Sequence, residues 1–221
     1  MNKEDYKNIT TVIFDMDGVL LDTEKVCRKC WILASQKMNL SNVEEVFYKC
    51  VGQARQDTLK TLSDFFLPQK SDFSSEEFYS YAGEYFYEIE KTEGLPKKPF
   101  VDECLSFLKK NNFTLAVASS TRSENVHRQL KAAGIFDYFK TITCGDSVIH
   151  SKPAPDIYLK SMESLNVKAE NCFAVEDSPN GIKSGSAAGL KMIMVPDLIL
   201  PDENIKKLCY KIEPSLKELI F

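Results

Sequence analysis

The chain has 221 residues, 43% hydrophobic and 27% charged, with a formal net charge of −4. This length can bury a large core, as one domain or as a domain carrying an insertion, and the composition is that of a folded globular protein rather than a disordered one. The acidic balance argues against general nucleic-acid binding. No apolar run reaches the roughly 20 residues of a membrane span, and Met1-Asn2-Lys3-Glu4-Asp5 begins polar, so a cytoplasmic protein without a membrane partner is expected.

In chain order, the first apolar strand is Thr11-Val12-Ile13-Phe14, and it stops abruptly at Asp15-Met16-Asp17-Gly18. Two carboxylates at a strand end are costly unless a cation, a chemical task or both await them. Alternation puts Asp15 and Asp17 on one side of an extended chain, and Gly18 allows a sharp turn after them. One carboxylate can then attack while the other moves a proton. A solvated Asp pair in a surface turn is the plain alternative. A calcium loop fits poorly, because Gly18 comes fourth and Val19 occupies a ligand position.

About ninety residues separate this strand from the next, far more than a crossover helix requires, so an inserted subdomain is expected. Helical spacing covers 26–38, 43–48, 57–66 and 75–90, with Ser74 or Ser75 as a cap before Glu76-Glu77. The aromatic group Phe78, Tyr79, Tyr81, Tyr85, Phe86 and Tyr87 reads as helix packing, with a sugar-facing pocket as the alternative. Of the seven cysteines, Cys27 and Cys30 form one CxxC with neither a second pair nor a nearby histidine. Buried free thiols are the expected reading.

The remainder alternates helix and strand. An amphipathic stretch, Val101–Lys110, precedes a strand at 115–118 that ends in Ser119-Ser120-Thr121-Arg122. A helix at 124–133, stopped by Gly134, leads to a strand at Thr141–Cys144 and then to Ser151-Lys152-Pro153-Ala154-Pro155-Asp156. A strand at 172–175 runs into Glu176-Asp177-Ser178-Pro179-Asn180-Gly181, and 192–195 supplies a fifth strand before Pro196. This pattern predicts an α/β fold with a parallel sheet flanked by helices. Ligands of such sheets bind outside the carboxyl ends of the strands, which would gather the four polar clusters into one site. Each cluster taken singly also reads as a helix cap or a solvated turn. Their joint occurrence after successive strands favours a shared site.

With these clusters in place, the sequence resembles the haloacid dehalogenase-like hydrolase superfamily, in its phosphatase and beta-phosphoglucomutase-like branch. The likeness spans nearly the whole chain and is carried by Asp15-Met16-Asp17-Gly18-Val19 with Asp22-Thr23-Glu24, by Ser119, by Ser151-Lys152-Pro153-Ala154-Pro155-Asp156, and by Glu176-Asp177-Ser178 with Gly181 and Ala187-Ala188-Gly189. The resemblance implies a Rossmann-like core formed by residues 1–22 and 96–221 and a helical cap formed by 23–95, with hinges near 22–25 and 94–99. It implies Asp15 as nucleophile and Asp17 as acid/base, an aspartyl-phosphate intermediate, and Ser119, Ser120 and Lys152 around the phosphate. Mg2+ would be held by Asp15, the Asp17 main-chain carbonyl, Asp177 and Glu176. In the cap, Gly52 and Arg55 match a loop that reaches the catalytic cleft, Arg55 standing where the mutases grip a second phosphate, and Glu24 suits the phosphatase branch. Cys27 and Tyr85 depart from the mutase pattern, where a histidine and a lysine are expected.

The leading expectation is Mg2+-dependent hydrolysis of a small phosphorylated metabolite by a monomer or weak dimer. Phosphoryl transfer on a hexose phosphate is the second reading. A non-catalytic phospholigand-binding protein is the third.

Overall fold

The computed structural model describes residues 2–51 and 55–221. It divides into two compact units, one of Met1–Asp22 with Pro96–Phe221 and one of Thr23–Leu95.

The first unit is built on a six-stranded sheet of β1 (Thr11–Phe14), β2 (Thr114–Ser119), β3 (Thr141–Cys144), β4 (Cys172–Glu176), β5 (Lys191–Met194) and β6 (Cys209–Ile212). Every strand pair is parallel, in the order β3-β2-β1-β4-β5-β6. All four residues of β1 are buried, as are all five of β4. Continuous apolar runs are what a sheet covered on both faces selects. The order reverses between β1 and β4, which makes the carboxyl ends of those two strands the switch point where open sheets of this kind take their ligands.

Among the described residues, five α-helices belong to this unit: α5 (Val101–Lys110), α6 (Ser123–Ala132), α7 (Asp156–Leu165), α8 (Pro179–Ala187) and α9 (Glu203–Leu208). Between α7, α8 and the sheet lies a core that includes Ile13, Ala116, Tyr158, Ala174, Ile182 and Met192. The start of α8 is specified locally. Ser178 accepts the amide proton of Gly181, and Pro179 occupies the first turn, where its missing N–H costs nothing.

The second unit holds α1 (Thr23–Lys37), α2 (Val43–Cys50), α3 (Arg55–Phe66) and α4 (Ser75–Thr92). Its own core contains Trp31, Phe47, Leu62, Phe66 and Phe78. Trp31 meets Phe47 and Phe78 edge-on, with ring centroids 5.2 and 5.3 Å apart. Of the aromatic residues in α4, Phe78 is fully buried, and Tyr79, Tyr81, Tyr85 and Phe86 pack partly buried against the same core. Ser74 caps α4 by accepting from the Glu77 amide.

Differences from the sequence expectation are small and physical. Helix α1 begins three residues early because Thr23, Glu24 and Lys25 form a polar first turn that apolar periodicity does not register. The fifth strand starts at Lys191, which pairs with Phe173, one residue before the apolar run. The sixth strand, Cys209–Ile212, was not expected at all. It is a short edge strand carrying Lys211, and only its pairing with β5 identifies it. All seven cysteines are free thiols, with Cys27 and Cys209 half-buried and the other five buried. No helix among the described residues is long and apolar enough to cross a membrane.

Because Phe78 is enclosed by Trp31, Phe66 and Phe73, Phe78→Ala should cost about 3–5 kcal/mol of stability in denaturant unfolding. A loss below about 1 kcal/mol would show that this helical core tolerates the cavity.

Candidate active site

Asp15 follows β1, Ser119 closes β2, Lys152 lies on the connection after β3, and Glu176 closes β4 with Asp177 next in the chain. The fold therefore delivers four remote segments to one edge of the sheet. Lys152 joins them. Its ammonium donates to Asp15 Oδ1 and to Glu176 Oε1, both at 2.5 Å, and to the Ala118 carbonyl at 3.0 Å.

Asp17 occupies the turn beyond Asp15. Its Oδ2 accepts from Thr121 Oγ1 at 2.9 Å and, more distantly, from Ser119 Oγ at 3.4 Å. Ser119 is fully buried and its oxygen also accepts the Thr121 amide at 3.1 Å. Ser120, by contrast, is exposed at the strand end. Thr121 belongs to the polar run after β2 but lies outside the expected site residues. It orients a carboxylate, and nothing in a Ser/Thr run distinguishes the hydroxyl that will do so.

The third acidic segment is packed against the first. Asp15, Glu176 and Asp177 each offer a carboxylate oxygen within 4.8 Å of the others. Gly18 has φ +80°, and a Cβ there would lie 2.4 Å from Asp177 Oδ2. A Cβ on Gly181 would fall 1.9 Å from the Glu176 carboxylate. Neither glycine can be replaced without displacing an acidic group, and Gly18 also adopts a backbone conformation that other residues rarely take.

Electrostatically the cluster is short of positive charge. Burial, partly relieved by Lys152 and reinforced by Glu176 and Asp17, pushes the Asp15 carboxyl up to about 8. Burial with repulsion from Glu176 and Asp15 raises Asp177 well above the usual carboxylate range. Burial also disfavours the Lys152 ammonium, but Asp15 and Glu176 outweigh it and keep the group charged. Two buried carboxylates, Asp15 and Glu176, thus share the Lys152 ammonium, with the half-buried Asp177 beside them.

That donor set fits a hard divalent ion, since it is all oxygen, anionic and underneutralised. Glu176 is the least available member. Its Oε1 accepts from Lys152 and Tyr158, and its Oε2 accepts from the Asp177 amide, the Ser178 amide and the Ser178 hydroxyl.

The expected cap residues lie in the helical unit. Arg55 opens α3, where its guanidinium donates to Glu76 Oε2 at 2.7 Å and sits 5.5 Å from the Tyr79 ring centroid. Glu24, in the first turn of α1, lines a cavity of about 160 Å³ with Cys27, Trp31, Cys50, Thr58 and Tyr79. Gly52 lies outside the described residues.

The comparisons with known proteins converge on this architecture. The haloacid dehalogenase-like hydrolase pattern matches residues 12–195, so the chain belongs to that family. It is 32% identical over 182 residues to the phosphorylated carbohydrates phosphatase of Thermotoga maritima, covering 82% of each chain. Among solved structures, it resembles a candidate beta-phosphoglucomutase from Thermotoga maritima with a TM-score of 0.81 and 27% identity, over 96% of this chain and 97% of that one. It also resembles CbbY from Rhodobacter sphaeroides in complex with phosphate, with a TM-score of 0.73, 26% identity and 96% of each chain covered.

The raised pKa of Asp15 carries a signed consequence for stability. Between an unfolded value near 3.8 and a folded value of about 8, the folded state keeps a proton that the unfolded chain has lost. The Asp15 contribution is therefore present below about pH 4 and is lost as pH rises toward 8. In chelator, thermal midpoints of the native protein should fall more steeply from pH 5 to 8.5 than those of Asp15→Asn. Parallel profiles in calorimetry would contradict the burial of an ionisable Asp15.

Proposed function

We propose that the protein is a Mg2+-dependent phosphatase of small phosphorylated metabolites of the sugar-phosphate kind, acting through an aspartyl-phosphate on Asp15. The observation that carries this reading is the juxtaposition of Asp15 with Lys152, Glu176 and Asp177, beside Asp17 with its two hydroxyl partners.

Asp15 attacks phosphorus as the bond to the leaving oxygen breaks, and Asp17 gives that oxygen its proton. Asp17 then takes a proton from water, whose oxygen attacks the aspartyl-phosphate, releasing inorganic phosphate and restoring the Asp15 carboxylate. Thr121 and Ser119 hold Asp17 in orientation for both transfers. Lys152 offsets negative charge on the transferring group, with Ser119 and Ser120 on the phosphate side of the site. Asp15, Asp177 and the Asp17 carbonyl, with Glu176 behind them, would hold Mg2+, which would supply the positive charge needed for a phosphate to approach these carboxylates. The helical unit acts as the cap that selects the substrate and excludes water, with Glu24, Gly52 and Arg55 as the candidate selecting residues.

Hydrolysis is favoured over mutase chemistry by Cys27 and Tyr85, which stand where the mutase pattern has a histidine and a lysine. A mutase must also grip a second phosphate, for which Arg55 would have to exchange its exposed pair with Glu76. The name of the Thermotoga maritima relative, a phosphorylated carbohydrates phosphatase, points the same way. The likeness to a candidate beta-phosphoglucomutase keeps phosphoryl transfer as the second reading.

Phosphate release from a panel of sugar, nucleotide and polyol phosphates should require Mg2+. Asp15→Asn should abolish it, and Asp17→Asn should lower it by about two orders of magnitude or more. Release that survives both Asp15→Asn and chelation would reject the reading. Conversion of beta-glucose 1-phosphate to glucose 6-phosphate, primed by a trace of bisphosphate and outpacing hydrolysis, would establish the mutase instead.

A further inference from the structure

Tyr158 stands outside every motif that the sequence singled out, yet it is the one aromatic hydroxyl described within this acidic site. The residue is on α7, three positions into the helix, and is fully buried. Its ring packs in the core between α7, α8 and the sheet, among Ile157, Ile182 and Met192. Apolar packing of that kind needs only a phenyl group. A buried phenol needs a partner for its hydroxyl as well, and here the O–H donates to Glu176 Oε1 at 2.8 Å.

The same carboxylate oxygen accepts from Lys152 at 2.5 Å, and the Lys152 ammonium lies 5.1 Å from the Tyr158 ring centroid. Tyr158 therefore bears on Lys152 twice, through the shared oxygen and through its ring. The other face of Glu176 is held by the Asp177 and Ser178 amides and by the Ser178 hydroxyl. With both oxygens committed to protein donors, Glu176 is clamped rather than free to turn toward a ligand. Lys152 is clamped in turn by Glu176, Asp15 and the Ala118 carbonyl.

We propose that Tyr158 is a positioning residue that, through its hydroxyl on Glu176 and its ring beside Lys152, fixes the Lys152 ammonium where a phosphoryl group is bound. This rests on the phosphatase reading for the role of Lys152, while the Tyr158 geometry itself does not. The hydroxyl divides the acceptor capacity of Oε1 with the ammonium. Without it, Glu176 Oε1 has lost one of its two fixed donors, and both the carboxylate and the lysine it holds gain freedom to move. A charged group displaced by a fraction of an ångström from a transferring phosphoryl group loses much of its effect in a site closed to water.

Tyr158→Phe removes one oxygen and leaves the packing in place, so the variant should fold. Two measurements follow on the full chain with MgCl2: calorimetric titration with inorganic phosphate, and turnover of the best monophosphate from the substrate panel. Phosphate binding should weaken roughly five- to tenfold and kcat should fall by about tenfold, from the loss of one hydrogen bond to a charged group. In a Lys152→Met background the same substitution should change neither quantity further, because the group it positions is gone. A purely structural tyrosine would lower the thermal midpoint in both backgrounds and leave phosphate affinity alone. Wild-type phosphate affinity and kcat in Tyr158→Phe, or equal losses with and without Lys152, would overturn the proposal. If the wild-type chain turned over no phosphomonoester, the phosphatase reading would fall, and the phosphate titration would still decide for or against Tyr158.

Discussion

A deficit of positive charge at the carboxyl edge of the sheet organises this protein. Asp15, Glu176 and Asp177 bring carboxylate oxygens within 4.8 Å of one another, and Lys152 is the ammonium bonded to two of them. Such a cluster is unstable in isolation, since burial and mutual repulsion both oppose ionisation. It persists because the parallel sheet places β1 and β4 side by side, so that the residues leaving those strands cannot avoid each other. The energetic cost of that meeting is also the source of its chemistry. An all-oxygen, anionic site of this kind suits a hard divalent cation, which together with Lys152 would receive a phosphate under the proposed function.

Much of the surrounding structure serves to keep the acidic groups in place. Gly18 and Gly181 leave room for Asp177 and Glu176 where a Cβ would collide with them. Ser178 has two tasks, capping α8 through the Gly181 amide and donating to Glu176. Thr121 and Ser119 hold Asp17 by a different set of bonds from those that hold Asp15. The two aspartates of one short turn are thereby placed in different environments, one against a cation and one against hydroxyls. Separate environments allow neighbouring carboxylates to perform different steps of one reaction.

The helical unit is built on other principles. Its core is rich in aromatic rings, and exposed ion pairs such as Lys29 with Glu93 and Arg55 with Glu76 lie within the unit. These exposed pairs contribute little to stability.

By itself the sequence determined five of the six strands, the principal helices and the four polar clusters. Apolar runs such as Thr11–Phe14 end sharply in charged or hydroxyl residues, and a buried parallel strand has no other way of being written. It also marked Asp15, Asp17, Ser119, Lys152, Glu176 and Asp177 as exceptions to apolar patterning. Only the tertiary structure decided how those exceptions are divided. Lys152 bonding to both Asp15 and Glu176, Thr121 rather than Ser120 turning to Asp17, and Tyr158 presenting its hydroxyl to Glu176 are contacts between residues far apart in the chain. Local pattern reports which side chains resist burial. Which of them then meet is set by strand order, and the edge strand Cys209–Ile212 illustrates the same limit, since its pairing with β5 is its whole identity.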